Sequence, residues 1–337
     1  MLRRTVLGAA GAAACLAAAC RRNRAPGALD KVRVSLRPTL YMAPLYLALD
    51  SGYFSDARLQ LELLPVDEGA QTIVLLAGGK MDVAFGALPA ALPSAVAQGA
   101  QVRVVAGRRR MTPDCSDTGT LYGNRARFPR GLARLPDLKQ ELRGKQVAIN
   151  SRSNAAEFYL ETLLSKAGLT PDEVHIEAIR FSEAVPAVIN GRVDAFLAPE
   201  QFSAQTIADN PRLVRGIGVA QVLPEFQFTF MFFGGNLLGS RTEVGVRFLA
   251  ALLRGVRDFV HGKTPRFLDD FARSNGFDLA RARLSCRGGE MPDGAIDRQS
   301  LRLLTEWFAQ KGYCPQGVTV DQMVDTRFLQ QVHKLGA

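Results

Sequence analysis

The side chains best suited to chemistry in this 337-residue chain sit in short polar loops that directly follow apolar runs. Arg37, Thr39 and Tyr41 crowd the loop between VRVSL and APLYLALD. Glu68 follows LQLELLP, Gly86 closes MDVAF, and Ser151, Ser153 and Asn154 follow KQVAIN. Arg180 follows VHIEAI, Glu200 follows DAFLAP, and Phe228 lies in the aromatic run FQFTFMFF. A guanidinium at Arg37 or Arg180 can grip a carboxylate, sulfonate or phosphate, or pair with Glu68 or Glu200. Ser151, Ser153 and Asn154 can donate to a ligand or cap the helix that follows them, whose N-terminal N–H groups form an anion seat. Glu68 and Glu200 favour a ligand bearing N–H donors, and Tyr41 and Phe228 can stack on a planar ring. None of this is catalytic machinery. No GxSxG, SxxK, HExxH, Walker or Rossmann pattern occurs, and His175, His261 and His333 are scattered, so no enzyme activity, metal site or cofactor is expected.

The elements that must position these loops come from an internal repeat. GGKMDVAF (78–85) is echoed by NGRVDAFL (190–197), with Asp82 matching Asp194. The echo extends to VRVSL with KQVAI, LQLELL with VHIEAI, and QTIVLLAG with EAVPAVIN. Each unit reads strand, helix, strand, helix, strand, with short Val/Ile/Leu-rich strands typical of parallel sheets covered on both faces. The expected class is therefore α/β: two doubly wound lobes around a cleft, with helices from residue 242 onward. Ligands bind at the carboxyl ends of parallel strands in such sheets, which is where the polar loops lie. The expected organisation is residues 1–19 as a leader, 20–30 as a tether, 31–110 with 225–337 as one lobe, and 111–224 as the other.

The leader reading rests on MLRR followed by TVLGAAGAAACLAAA, a basic start and a short apolar run of signal-peptide type. LAAAC around Cys20 resembles a lipobox, so an extracytoplasmic, periplasmic protein held to a membrane by a lipid on Cys20 is expected; Ala17-Ala18-Ala19 also suits simple cleavage. Loss of Arg3 and Arg4 lowers the formal charge from +10 to about +8, which leaves a basic protein. The arginines from Arg108 to Arg134 have no recognition motif beside them, so the segment reads as a solvated loop and no nucleic-acid partner is expected. Of the cysteines beyond the leader, Cys286 and Cys314 bracket a helical stretch and are the candidate disulfide in an oxidising compartment, while Cys115 is left over.

The segments APLYLALDSGYFSDARLQLELLPVDEG, GGKMDVAFG, ELRGKQVAINSRSNAAEFYLETLLSKAGL and NGRVDAFLAPE together resemble the solute-binding proteins of ABC importers, in the nitrate, sulfonate, taurine and thiamine-pyrimidine-precursor branch. The resemblance runs in order from Val32 to Leu335. It implies a type II periplasmic-binding-protein fold that captures a small solute, an organic anion such as a sulfonate or a planar pyrimidine-like ring, as a monomer and hands it to an ABC permease. The order Pro199-Glu200 reverses the family's usual acidic residue followed by proline, which leaves the solute open. Two other classes fit the same scaffold: a ligand-gated sensor lipoprotein, and an enzyme related to pyrimidine synthesis, whose cysteine-rich motif is absent here.

Overall fold

The computed structural model describes residues 28–36, 40–66, 69–112, 119–198, 210–263 and 289–336. Arg37, Thr39, Glu68, Glu200, Cys20, Cys115 and Cys286 lie outside them, as do the leader and most of the tether.

Among the described residues, ten strands form two sheets of five. The first holds β1 (Asp30–Leu36), β2 (Leu59–Pro65), β3 (Val83–Gly86), β4 (Val102–Arg110) and β10 (Gln227–Gly234) in the order β2-β1-β3-β10-β4. The second holds β5 (Thr120–Asn124), β6 (Gln146–Ile149), β7 (His175–Ala178), β8 (Ala195–Ala198) and β9 (Leu213–Gly218) in the order β7-β6-β8-β5-β9. β10 and β5 hold matching places in the two orders. The apolar runs form strands because both faces are covered: β3, β8 and β10 are buried along their whole length.

Parallel pairing holds for β1 with β2 and β3, and for β6 with β7 and β8. The crossing strands differ, since β10 is antiparallel to β3 and β4, and β5 is antiparallel to β8 and β9. The reason is topological. β4 ends at the carboxyl edge of the first sheet, and β5 begins beside Ala198, the carboxyl end of β8. β9 ends beside Thr120, and β10 begins beside Arg110. Each crossover thus joins carboxyl edge to carboxyl edge, so an arriving strand must run backward. The crossovers also bond to one another. Met111 N donates to the Phe226 carbonyl (2.8 Å) and Glu225 N to that of Met111 (3.0 Å), while Val219 N donates to that of Gly119 (2.8 Å).

The repeat is a structural strap. Asp82 N donates to the Arg33 carbonyl and Arg33 N to the Asp82 carboxylate, both at 2.9 Å. In the second sheet Asp194 N donates to the Gln146 carbonyl and Gln146 N to the Asp194 carboxylate, again at 2.9 Å. Each aspartate therefore staples the start of its third strand to the strand beside it.

Helices α1 (Ala43–Asp50), α2 (Tyr53–Asp56), α3 (Gly69–Ala77) and α4 (Ala91–Ala97) connect strands of the first sheet. α5 (Leu135–Leu142), α6 (Ala155–Lys166) and α7 (Phe181–Ile189) serve the second. The short α8 (Gly235–Leu238) is followed by α9 (Thr242–Val260), which packs on α1. The contact is close enough that a Cβ at Gly255 would lie 2.7 Å from the Pro44 carbonyl and from the Ala48 Cβ. The last helices are α10 (Arg298–Gln310), α11 (Val320–Met323) and α12 (Arg327–Lys334).

α10 spans both halves. Near its start, Ser300 Oγ accepts from Gln227 N of β10 (2.8 Å). Near its end, Trp307 Nε1 donates to Glu161 of α6 (2.9 Å), Lys311 pairs with the same carboxylate (2.6 Å), and the Tyr313 hydroxyl donates to Glu157 (3.0 Å). Trp307 packs edge-on against Phe158, with ring centres 5.7 Å apart, as expected of a core residue.

One expectation needs correction. The arginine-rich segment is not one solvated loop: Arg108, Arg109 and Arg110 continue β4, and Arg108 and Arg109 are buried because Glu290 meets both guanidinium groups (3.4 and 3.2 Å). Arg125, Arg127, Arg130 and Arg134 are exposed, as expected of that segment. Of the candidate Cys286–Cys314 pair, Cys286 lies outside the described residues. Cys314 is a free buried thiol whose Sγ points inward to the Thr305 carbonyl of α10 (3.9 Å).

Candidate functional site

The loops at the carboxyl edges carry the candidate residues. In the first sheet, the turn Leu40–Met42 leads into α1, and Pro44 suits the first turn of a helix because it has no N–H to satisfy. Tyr41 is half-buried there, and its carbonyl accepts from Arg108 Nη2 (3.3 Å). Gly86 ends β3 with φ +155°, where a side chain would be strained. It is buried, yet a Cβ built on it would meet nothing within 4 Å, so a hollow adjoins the strand end.

In the second sheet, the loop after β6 holds Ser151, Ser153 and Asn154. Asn154 is the N-cap of α6: its Oδ1 accepts from Ala156 N (2.9 Å), and its Nδ2 donates to Ser151 Oγ (2.8 Å) and, weakly, to Asn150 Oδ1 (3.4 Å). Ser153 has φ +60°, a left-handed conformation uncommon outside glycine. That turn aims its N–H at the buried Glu157 carboxylate (2.9 Å), which also pairs with Arg152 (2.6 Å). The anion seat expected at this helix start is thus partly filled by the protein's own acceptors, Asn154 Oδ1 and Glu157.

Arg180 is exposed and immediately precedes α7, without capping it. Phe228 is buried in β10, 5.8 Å under the Arg109 guanidinium. Phe226 packs against Phe158 and Tyr159 of α6, with ring centres 5.5 and 5.9 Å apart, and joins the core between the sheets. Tyr159 is buried, which pushes its phenol pKa upward, so it stays neutral. Tyr41 and Gly86 therefore share the first edge and Ser151, Ser153 and Asn154 the second, while Phe228 belongs to the packed interior.

Sequence reasoning missed Arg108, Arg109, Glu290 and Glu157. The triplet of arginines was visible, but its acceptor Glu290 lies 182 positions from Arg108, and no local pattern ties them. Among the described residues no group of three or more His, Cys, Asp or Glu could hold a metal ion. No helix there is long and apolar enough to cross a membrane.

The sequence profile of the NMT1-like family matches residues 26–214, more than half of the chain. The chain belongs to the NMT1-like family. No curated protein matches it at a significant level. Among solved structures, this NMT1-like protein is similar to the periplasmic nitrate-binding protein NrtA from Synechocystis PCC 6803, with a TM-score of 0.72 and 11% identity over 91% of this chain and 89% of that one. It is also similar to the periplasmic aliphatic sulphonate binding protein SsuA from Escherichia coli, with a TM-score of 0.70 and 14% identity over 88% and 92%. A third likeness is to the zinc-bound ligand binding component of an ABC-type import system from Staphylococcus aureus, with a TM-score of 0.70 and 15% identity over 90% and 99%. The NMT1-like chain thus has the periplasmic-binding-protein fold, with two α/β sheets in a two-lobe arrangement.

Proposed function

We propose that this protein captures a small solute between its two carboxyl edges and delivers it to an ABC importer, without chemical change to the solute. The observation that carries the reading is the pair of crossovers, each running from carboxyl edge to carboxyl edge, the arrangement expected if both sets of candidate loops serve one cleft. The likeness to nitrate-, sulfonate- and other ABC-import binding proteins over about nine-tenths of the chain supports it. In this reading residues 31–110 and 225–337 move as one lobe and 111–224 as the other. Empty, the lobes stand open; a solute touching Tyr41 and Gly86 on one side and Ser151, Ser153 and Arg180 on the other favours closure, because only contacts made in the closed state can shift the balance. Arg37, Thr39, Glu68, Asn154 and Glu200 complete the proposed site. An N-terminal lipid on Cys20 would hold the protein at the outer face of a membrane near its permease.

Thermal-shift screening of the mature protein against sulfonates, nitrate, carboxylates, pyrimidines and flavins tests this. A ligand bound by the folded state alone raises the melting temperature, by about 2.7 kcal/mol of added stability at a hundredfold excess over Kd. The stabilising solute should be recovered unchanged by mass spectrometry after long incubation. Turnover of that solute would overturn the non-catalytic reading, and absence of any stabilising solute would overturn capture.

A further inference from the structure

The end of β4 holds a polar group that the fold alone does not explain. In the β10–β4 ladder, Thr229 faces Arg109 and Phe230 faces Gly107, which leaves Arg108 as the extra residue of a bulge. A bulge breaks the ladder and re-aims a side chain. Here it turns the Arg108 guanidinium over the Phe85 ring (5.2 Å) and beneath the Tyr41 carbonyl (3.3 Å), so the charge sits at the carboxyl ends of three neighbouring segments. The side chain is only 2% exposed.

Its hydrogen bonds are incomplete. Nη2 reaches Tyr41 O and, at 3.4 Å, one oxygen of Glu290, whose other oxygen lies against Arg109. Nε and Nη1 are buried and have no acceptor among the described residues. Three of the five guanidinium N–H groups are therefore unpaired, a costly state for a charged group out of water. The hollow beside Gly86 lies across β10 from Arg108, since Gly86 and Gly107 flank Phe230 from the two sides of that strand.

We infer that Arg108 receives the acidic group of the captured solute, and that the solute is an anion carrying an oxyanion head such as a carboxylate, sulfonate or nitrate. This deepens the capture reading and rests on it. An oxyanion brings one negative charge spread over several acceptor oxygens, which matches donors left open on more than one guanidinium nitrogen. The guanidinium is sealed from solvent, so the head group enters while the lobes are apart and is enclosed when they meet. A solute of the aminopyrimidine type brings only neutral ring-nitrogen acceptors and no negative charge to this guanidinium, and is disfavoured.

The test compares wild type, Arg108→Gln and Arg108→Lys, titrated calorimetrically with ethanesulfonate, nitrate and benzoate, with ethanesulfonamide and benzamide as neutral isosteres. At least one anion should bind wild type and its isostere should not. Arg108→Gln should bind that anion at least about tenfold more weakly, the loss expected for a desolvated charge-assisted contact. Arg108→Lys keeps the charge but lacks Nε and Nη1, and should fall between the two, which covers the case in which the glutamine variant does not fold. Unliganded Arg108→Gln should melt no lower than wild type, whereas a purely structural arginine would lower it. Equal affinity in all three proteins overturns the inference and leaves capture standing, as does a wild type that binds neutral or cationic solutes alone. A wild type that binds no solute of any charge class overturns both.

Discussion

Asp82 shows how much of the fold a single repeated residue holds. Its burial pushes the carboxyl pKa up, but hydrogen bonds from the Arg33 side chain and backbone and from Asn236 outweigh that and leave it below the ordinary carboxylate value. A folded-state pKa below the unfolded value of about 3.9 means stabilisation that is complete above it and is lost as pH falls through the folded value. Asp82→Ala should cost about 1.5–3 kcal/mol near neutral pH, the range for hydrogen bonds to a charged group, and the difference from wild type should shrink below about pH 4. Urea melts across pH 3 to 7 would check it, and a constant difference at all pH values would contradict the account. The Asp82 and Asp194 match was legible in the sequence because both sit at the same place in a repeated octet. Its physical meaning was not, because the bonds run to Arg33 and Gln146, about fifty residues upstream in each half. Arg108 and Glu290 were illegible for the same reason in stronger form: a run of arginines reads as solvated until its distant acceptor is known.

At the scale of elements, two contacts hold the candidate loops in place. α1 begins two residues after Tyr41 and lies on α9 at Gly255, where a Cβ would strike the Pro44 carbonyl and Ala48. Gly255→Ala should therefore destabilise by about 1–3 kcal/mol, the usual cost of overpacking. By pushing α1 outward it should also weaken solute binding, which calorimetry on the folded variant would detect. The second contact is α10 on α6. Trp307→Phe keeps the ring packing against Phe158 but removes the N–H donated to Glu161, and should cost about 1 kcal/mol in chemical denaturation. Periodicity made these helices legible, and α9 and α10 both fall where an apolar stripe follows a turn residue. It did not indicate that α10 would reach across to the second sheet, since an apolar stripe specifies that a face is buried and not which partner buries it. Crowding of the α6 start by Glu157 escaped notice likewise, because a first-turn glutamate reads equally as a helix-favouring charge in solvent.

At the scale of the whole molecule, the duplicated strand order carries the account. It was legible because strand, helix and the Asp-bearing octet recur in step, and short buried strands leave continuous apolar runs. The antiparallel course of β5 and β10 followed only from where the crossovers attach. That attachment matters most for the capture reading, in which the two hydrogen-bonded connections between the carboxyl edges serve as the hinge. Phe226, Phe158, Tyr159 and Trp307 pack together beside the same connections, so in that reading opening is a rotation that keeps these rings in contact. Small-angle X-ray scattering of the mature protein, with and without its most stabilising solute, measures this most directly. A smaller radius of gyration on saturation, reversed when the solute is dialysed away, is the predicted result. An unchanged scattering curve at full occupancy would contradict closure of two lobes around a captured molecule.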